Sequence, residues 1–135
     1  MKRNMSPEEF RQVSAEAEII DVRSPEEYAE GHIKGARNVS ITGPEFMDEV
    51  GRLDREKPYA LYCRSGNRSG TALQLMQQMG FTTVGHLENG LLDWQFELAQ
   101  GREDEVPAEG REDQERAEGR ESESRRPAGN YTTAG

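Results

Sequence analysis

The sequence predicts an α/β domain in which a parallel sheet carries helices on both faces. Short apolar runs alternate with segments of helical periodicity along the first hundred residues, and this alternation is typical of parallel sheets covered on both sides. Beyond residue 100 the only large apolar side chains are Val106 and Tyr131, too few to offset the entropy of ordering a core. We therefore expect one domain over residues 1–100 and a disordered charged tail over residues 101–135.

The first helices have clear start signals. Ser6-Pro7-Glu8-Glu9 and Ser24-Pro25-Glu26-Glu27 each combine an N-capping serine, a proline at the first helical position and acids in the first turn. The apolar, β-branched run over 18–22 between them predicts a buried strand, and a second strand is expected over 36–39. A third helix should begin at Pro44, with an apolar face that carries Phe46, Met47, Val50 and Leu53.

The next elements surround the only cysteine of the chain. The apolar segment 59–62 predicts a central strand that ends at Cys63, and a polar loop over 64–68 leads to a helix over 69–79, which Gly80 terminates. Ligands of parallel sheets bind beyond the carboxyl ends of the strands. Cys63 is therefore expected at the ligand-binding edge.

The last part of the domain should hold a strand over 81–87 and a helix over 91–98, with Trp94 and Phe96 in the core. In the tail, Gly-Arg-Glu recurs with a period of nine residues, at 101–103, 110–112 and 119–121. This repeat is too short and too polar for a solenoid. We interpret the tail as solvated, with folding on a partner as the alternative.

Charge and composition exclude several classes of function. The net charge is −9, and acids outnumber bases both in the domain (16 against 11) and in the tail (10 against 6). Such a chain gains no electrostatic help in binding nucleic acid or an anionic membrane. The N-terminus has no apolar signal region, and one cysteine cannot form an internal disulfide. We expect a soluble, cytoplasmic protein without cofactor, and without metal because Cys63, His32 and His86 lack ligand spacing.

The segment that follows the central strand predicts a nucleophilic cysteine. A short loop containing glycine, followed by a helix start, can direct several backbone N–H groups at one point, which then binds an anion. A thiolate at that point is stabilised, so the pKa of Cys63 should fall below the ordinary value of about 8.5. The residues expected to bind substrate around it are Arg64, Ser65, Gly66, Asn67, Arg68 and Ser69.

This arrangement suits an oxyanion that carries an electrophilic sulfur, such as thiosulfate. The thiolate would take the outer sulfur, sulfite would leave, and Cys63 would become a persulfide. A second nucleophile, such as cyanide or a thiol, would then collect the sulfur in a two-step, ping-pong reaction. Because the chain has no second cysteine, that acceptor must come from outside and can be a small molecule or a protein thiol.

Two other interpretations of Cys63 carry less weight. Free cysteines are often simply buried in the core, but two arginines, a glycine and a helix start directly after Cys63 favour a nucleophile. Cysteine-dependent phosphatases and arsenate reductases use Cys-x5-Arg, a loop sized for a tetrahedral oxyanion. Here Arg68 follows after only four intervening residues, and Ser69 stands where that arginine would be.

At this point the chain resembles the rhodanese family over about residues 5–98. The resemblance rests on Asp21-Val22-Arg23, Glu27-Tyr28, Gly31-His32-Ile33, Gly35-Ala36-Arg37-Asn38, the loop Cys63 to Ser69, Gly80-Phe81, and Leu87-Glu88-Asn89-Gly90 leading to Trp94. Asn89 departs from the glycine that often stands there. The resemblance implies a five-stranded parallel sheet and a sulfane-sulfur donor such as thiosulfate.

Four polar residues outside the cysteine loop are not expected to be catalytic, and two of them, Asp21 and Arg23, are expected to support the site. Asp21 and Arg23 lie at the end of a strand on the edge that holds Cys63, where Asp21 can hold the neighbouring loop and Arg23 can pair with Glu27. We expect His32 to be a structural residue bonded to backbone. His86 has no evident partner and is expected at the surface or at a strand end.

The sequence leaves three functional hypotheses open. The first is a thiosulfate sulfurtransferase, and the second is a carrier whose Cys63 relays a persulfide between proteins. The third is a binding module without turnover, which the intact cysteine and loop disfavour. The first two use the same persulfide, so the sequence does not separate them.

Overall fold

The computed structural model describes residues 1–101. Apart from Gly101, the predicted tail and its repeat lie outside the described residues. The strands are β1 (Asn4–Met5), β2 (Glu18–Asp21), β3 (Arg37–Asn38), β4 (Pro58–Tyr62) and β5 (Thr83–Leu87). The helices are α1 (Pro7–Val13), α2 (Pro25–Glu30), α3 (Phe46–Gly51) and α4 (Asn67–Gln78). The strands form one parallel sheet in the order β1-β5-β4-β2-β3, so the predicted fold class is confirmed.

The order of the strands creates a switch point between β2 and β4. The connections that follow β1 and β2 run towards the β3 edge of the sheet, whereas the connections that follow β3 and β4 run back towards the β1 edge. β2 and β4 are direct neighbours, with Asp21 opposite Tyr62. In open α/β sheets the crevice beyond the strand ends at such a point is where ligands bind. Cys63 follows β4 there, and Arg23 follows β2 two residues after its end.

The helices cover both faces of the sheet and produce two apolar clusters. Alternate side chains of β4 point to opposite faces, so Leu61 and Cys63 lie in one cluster and Ala60 and Tyr62 in the other. The first cluster contains residues of α3 and α4, namely Phe46, Val50, Ala72, Leu73 and Met76. The second contains Phe10 of α1 and Tyr28 of α2.

The two predicted helix starts are both complete capping boxes. The Ser6 hydroxyl accepts a hydrogen bond from the Glu9 N–H at 3.2 Å, and the Ser6 N–H donates to the Glu9 carboxylate at 2.9 Å. Ser24 and Glu27 make the same reciprocal pair at 3.2 Å in each direction. Each box satisfies two backbone N–H donors that an uncapped start would leave without a partner.

The structure differs from the predicted elements mainly at their ends. α3 begins at Phe46 rather than Pro44, and the strands expected over 36–39 and 81–87 are shorter. α4 begins at Asn67, two residues before its predicted start, because Gly66 already serves as its N-cap. The two-residue strand β1 was not predicted, since a pair of residues has no periodicity to detect. Within residues 1–101, none of the helices is long and apolar enough to cross a lipid bilayer.

The helix predicted over 91–98 is wrong. Only a single 3-10 turn forms, over Gly90–Asp93, and Trp94 already has an extended backbone. The extended path carries Ala99 to His32, where the two residues exchange backbone hydrogen bonds at 2.9 and 2.7 Å. Trp94 packs edge-on against Phe10 at 5.9 Å between ring centroids, whereas Phe96 is half-buried and lies under the Arg11 guanidinium.

Candidate active site

The sulfur of Cys63 lies at the focus of the loop that connects β4 to α4. The Gly66 N–H donates to Sγ at 3.0 Å, and the Ser69 N–H donates at 3.4 Å. The first of these comes from the helix N-cap and the second from the first turn of α4, whose N–H groups lack partners within the helix. The residue itself is fully buried. The loop thus holds the sulfur where backbone N–H groups converge, as the sequence predicts.

Two glycines allow the loop to close this tightly. Gly66 has a φ of 101°, and a Cβ at this position would overlap the carbonyl oxygen of Glu88. Gly90 has a φ of 63°, and a Cβ there would overlap the backbone of Arg64. Both positive φ angles favour glycine. The turn containing Gly90 therefore packs directly against the backbone of the cysteine loop.

Hydrogen bonds join that turn to the loop. Leu91 donates its N–H to the Cys63 carbonyl, and Leu92 donates its own to the Arg64 carbonyl, each at 3.1 Å. In the sequence Gly90 stands out only as part of the family resemblance, and no role was predicted for it. The Asn89-Gly90 pair is itself a turn signal, and it is the feature from which this contact could have been anticipated.

The surroundings of the sulfur favour its ionised form. Burial by itself raises the pKa of the Cys63 thiol, but the hydrogen bonds from Ser69 and from the backbone N–H groups of Gly66 and Ser65 outweigh it. The net result is a pKa below the ordinary value, in the predicted direction. Donors aimed at a sulfur stabilise the thiolate more than the thiol, and the thiolate is the nucleophilic species.

The two arginines of the loop have different surroundings. Arg64 is exposed, as are Ser65 and Asn67. Arg68 instead forms a two-pronged ion pair with Glu27 of α2, in which Nη1 lies 2.7 Å from Oε1 and Nη2 lies 3.0 Å from Oε2. This guanidinium lowers the pKa of Glu27 to about 2. Much of the positive charge of Arg68 is therefore balanced locally, while that of Arg64 faces solvent.

Arg23 pairs with Asp21, so the predicted pair between Arg23 and Glu27 is wrong. The Arg23 Nη2 lies 2.7 Å from the Asp21 carboxylate, and both side chains are buried. Residues four apart meet on the face of a helix, but Arg23 precedes the N-cap Ser24 and lies outside α2. Asn38 adds hydrogen bonds from Nδ2 to the carbonyls of Asp21 and Arg23, at 3.0 and 2.9 Å. These contacts fix the end of β2 beside the cysteine loop.

The predictions for the two histidines, His32 and His86, compare differently with the structure. The Nδ1 atom of His32 lies 2.8 Å from the Tyr28 carbonyl and its ring stacks on that of Tyr28, so the predicted bond to backbone is present. His86 lies next to the end of β5, as one of the two predicted alternatives has it. It is buried rather than at the surface, and it has the partners Ser69 and Asn4, which the sequence did not indicate. Its partners come from distant parts of the chain, which spacing alone does not indicate.

The described part of the chain, residues 1–101, contains no group of three or more His, Cys, Asp or Glu side chains arranged to hold a metal ion. At the switch point the structure presents the Cys63 sulfur, the N–H donors around it and the exposed Arg64. This set can bind an anion and present a soft nucleophile to it.

Comparison with known proteins agrees with this geometry. The sequence pattern of the rhodanese-like domain matches residues 6–97. Over 92 residues the chain is 36% identical to the uncharacterized protein YqhL of Bacillus subtilis, covering 68% of this chain and 71% of YqhL. It is 34% identical to the thiosulfate sulfurtransferase GlpE of Pseudomonas paraeruginosa, covering 67% of this chain and 82% of that enzyme. A rhodanese-related protein from Thermoplasma volcanium superposes with a TM-score of 0.66 at 27% identity, covering 73% of this chain and 98% of that one.

Proposed function

The chain belongs to the family of rhodanese-like domains, and from that premise we propose that it is a sulfurtransferase that works through a persulfide on Cys63. The proposed donor is thiosulfate or a similar sulfane-sulfur compound, and the acceptor is a thiophile such as cyanide or a thiol. One observation carries the proposal: the sulfur of Cys63 accepts hydrogen bonds from the N–H groups of Gly66 and Ser69 at the switch point of the sheet. The thiosulfate sulfurtransferase among the relatives supports it.

In the first step the Cys63 thiolate attacks the outer sulfur of thiosulfate. A bond forms between Sγ and that sulfur, the sulfur–sulfur bond of thiosulfate breaks, and sulfite leaves with the bonding electron pair. The exposed Arg64 attracts the anionic donor to the loop. The N–H groups that stabilise the thiolate then stabilise the terminal, negatively charged sulfur of the persulfide.

In the second step the acceptor attacks the terminal sulfur of the persulfide. The new bond joins the acceptor to that sulfur, and the bond to Sγ breaks and restores the Cys63 thiolate. Because the chain has a single cysteine, no internal disulfide competes with this transfer. The same fact supports a second candidate, a persulfide carrier whose acceptor is a thiol on another protein.

The test is a thiosulfate:cyanide assay for thiocyanate, combined with intact-mass spectrometry after thiosulfate alone. We expect thiocyanate formation and a mass gain of one sulfur atom, and the loss of both in Cys63→Ser. A mass gain without turnover on cyanide would favour the carrier. If the wild-type protein gives neither signal with thiosulfate or with other sulfane donors, the proposal is wrong.

A further inference from the structure

A line of hydrogen bonds joins the sheet to the first turn of α4. The Oγ atom of Ser69 lies 2.7 Å from Nδ1 of His86 in β5, and Nε2 of the same ring lies 2.9 Å from Oδ1 of Asn4 in β1. Ser69 and His86 are both buried. Ser69 also donates its backbone N–H to the Cys63 sulfur. The contact with His86 therefore ends on a residue that touches the reacting atom, although the proposed sulfur transfer does not use it.

The ring of His86 accepts the hydrogen bond at this contact. Burial lowers the pKa of His86 below its ordinary value, against the opposing charge of Glu88, so the ring is neutral at neutral pH. Oδ1 of Asn4 can only accept a hydrogen bond, which places the ring proton on Nε2. Nδ1 is then left to accept from the Ser69 hydroxyl, and their separation of 2.7 Å is that of a well-formed bond.

The start of α4 is held by two other elements of the fold. Arg68 pairs with Glu27 of α2, and the next residue, Ser69, bonds to His86 of β5. The only other acceptor near the Ser69 hydroxyl is the Gly66 carbonyl, at 3.4 Å. Serine hydroxyls in helices can bond carbonyls three or four residues earlier, which often bends the helix. The shorter bond to His86 keeps the side chain directed towards the sheet.

The N–H of Ser69 is the more easily lost of the two donors to the sulfur. It lies 3.4 Å from Sγ, whereas the Gly66 N–H lies 3.0 Å away, and hydrogen bonds weaken steeply as their angle closes. We propose that His86 is a positioning residue, which holds Ser69 so that its backbone N–H points at the Cys63 sulfur. The inference rests on the proposed function only in taking that sulfur as the reacting atom.

The positioned N–H serves both halves of the sulfur transfer. Before the reaction it favours the Cys63 thiolate over the thiol. After the first step it helps to stabilise the charged terminal sulfur of the persulfide. Loss of the contact between His86 and Ser69 should therefore raise the pKa of Cys63 and slow its attack on the donor at neutral pH.

Two substitutions of nearly the same shape test the proposal. His86→Leu removes the acceptor, and the Cys63 pKa should rise by about half to one unit, the equivalent of one hydrogen bond to the sulfur. His86→Asn places an amide oxygen where Nδ1 accepts, so Ser69 keeps its partner and the Cys63 pKa should stay near that of the wild type. The measurement is the rate of iodoacetamide alkylation of the full-length protein as a function of pH, read by intact mass. It needs no sulfur donor, so its outcome is independent of the thiosulfate assay.

The amide proton of Ser69 gives a second and more direct readout. A hydrogen bond to sulfur strengthens when the thiol ionises, so the NMR signal of this proton should move downfield as Cys63 titrates. We expect that movement in the wild type and in His86→Asn, and its loss in His86→Leu. Thr71→Ala removes a hydroxyl that bonds to the Asn67 carbonyl of the same helix and should leave both readouts unchanged.

Ser69→Ala removes the hydroxyl from the other side of the contact. The Cys63 pKa should rise as it does in His86→Leu, and adding His86→Leu to Ser69→Ala should have no further effect. If His86→Leu does not fold, Ser69→Ala alone decides the question. An unchanged Cys63 pKa in either variant, equal rises in the Leu and Asn variants, or additive rises in the double variant would overturn the proposal.

Discussion

At the scale of single residues, the geometry of the cysteine loop depends on the backbone at Gly66. Its φ of 101° and its contact with the Glu88 carbonyl leave no room for a side chain. We expect Gly66→Ala to lower the free energy of unfolding by about 3 kcal/mol or more, since positive φ and steric overlap add. The Cys63 pKa should rise because the Gly66 N–H no longer points at the sulfur. Denaturant unfolding and the pH dependence of alkylation measure the two effects.

Gly80 provides the matched control for this substitution. Its φ of 96° is nearly that of Gly66, but a Cβ there would meet nothing within 4 Å. Gly80→Ala should therefore cost only the conformational part, about 1–2 kcal/mol, and leave the Cys63 titration as it is. Equal losses of stability in the two variants would show that the overlap with the Glu88 carbonyl does not contribute to the cost of Gly66→Ala.

At the scale of elements, two helices with the same start sequence differ in what their glutamates do. Glu9 and Glu27 both complete capping boxes, but Glu27 also pairs with Arg68 of α4. We expect Glu27→Gln to destabilise the protein by about 1–2 kcal/mol, because it removes charge-assisted bonds to a second element. Glu9→Gln should have a smaller effect, since its partner Lys2 is exposed. Urea unfolding at neutral pH compares them.

The ion pair between α2 and α4 also predicts a pH dependence. The pKa of Glu27 is lowered from 4.5 to about 2 in the folded protein. The stability that it contributes is therefore complete above about pH 4.5 and is lost as the pH falls towards 2. The difference in unfolding free energy between wild type and Glu27→Gln should shrink over that window. A difference that stays constant down to pH 2 would mean that the pair does not persist in solution.

At the scale of the whole molecule, the domain closes where Ala99 pairs with His32. We propose that the folded domain ends near residue 100, as the composition predicts. Truncation after residue 101 should then leave the unfolding midpoint and the sulfur-transfer activity unchanged. Truncation after residue 97 removes the two backbone hydrogen bonds between Ala99 and His32, and should cost about 2–3 kcal/mol. If both truncations are equally destabilising, the boundary lies further along the chain.

The sequence by itself determined the features that depend on neighbouring residues. Capping boxes, helical periodicity and the strand before Cys63 are local patterns, and together they predicted the parallel α/β fold and the position of the cysteine. Only the tertiary structure decided which groups meet across the fold. Arg68 pairs with Glu27, which is 41 residues away in the sequence, and His86 contacts Asn4, which is 82 residues away. Such partners are selected by the order and register of the strands, which no local pattern contains.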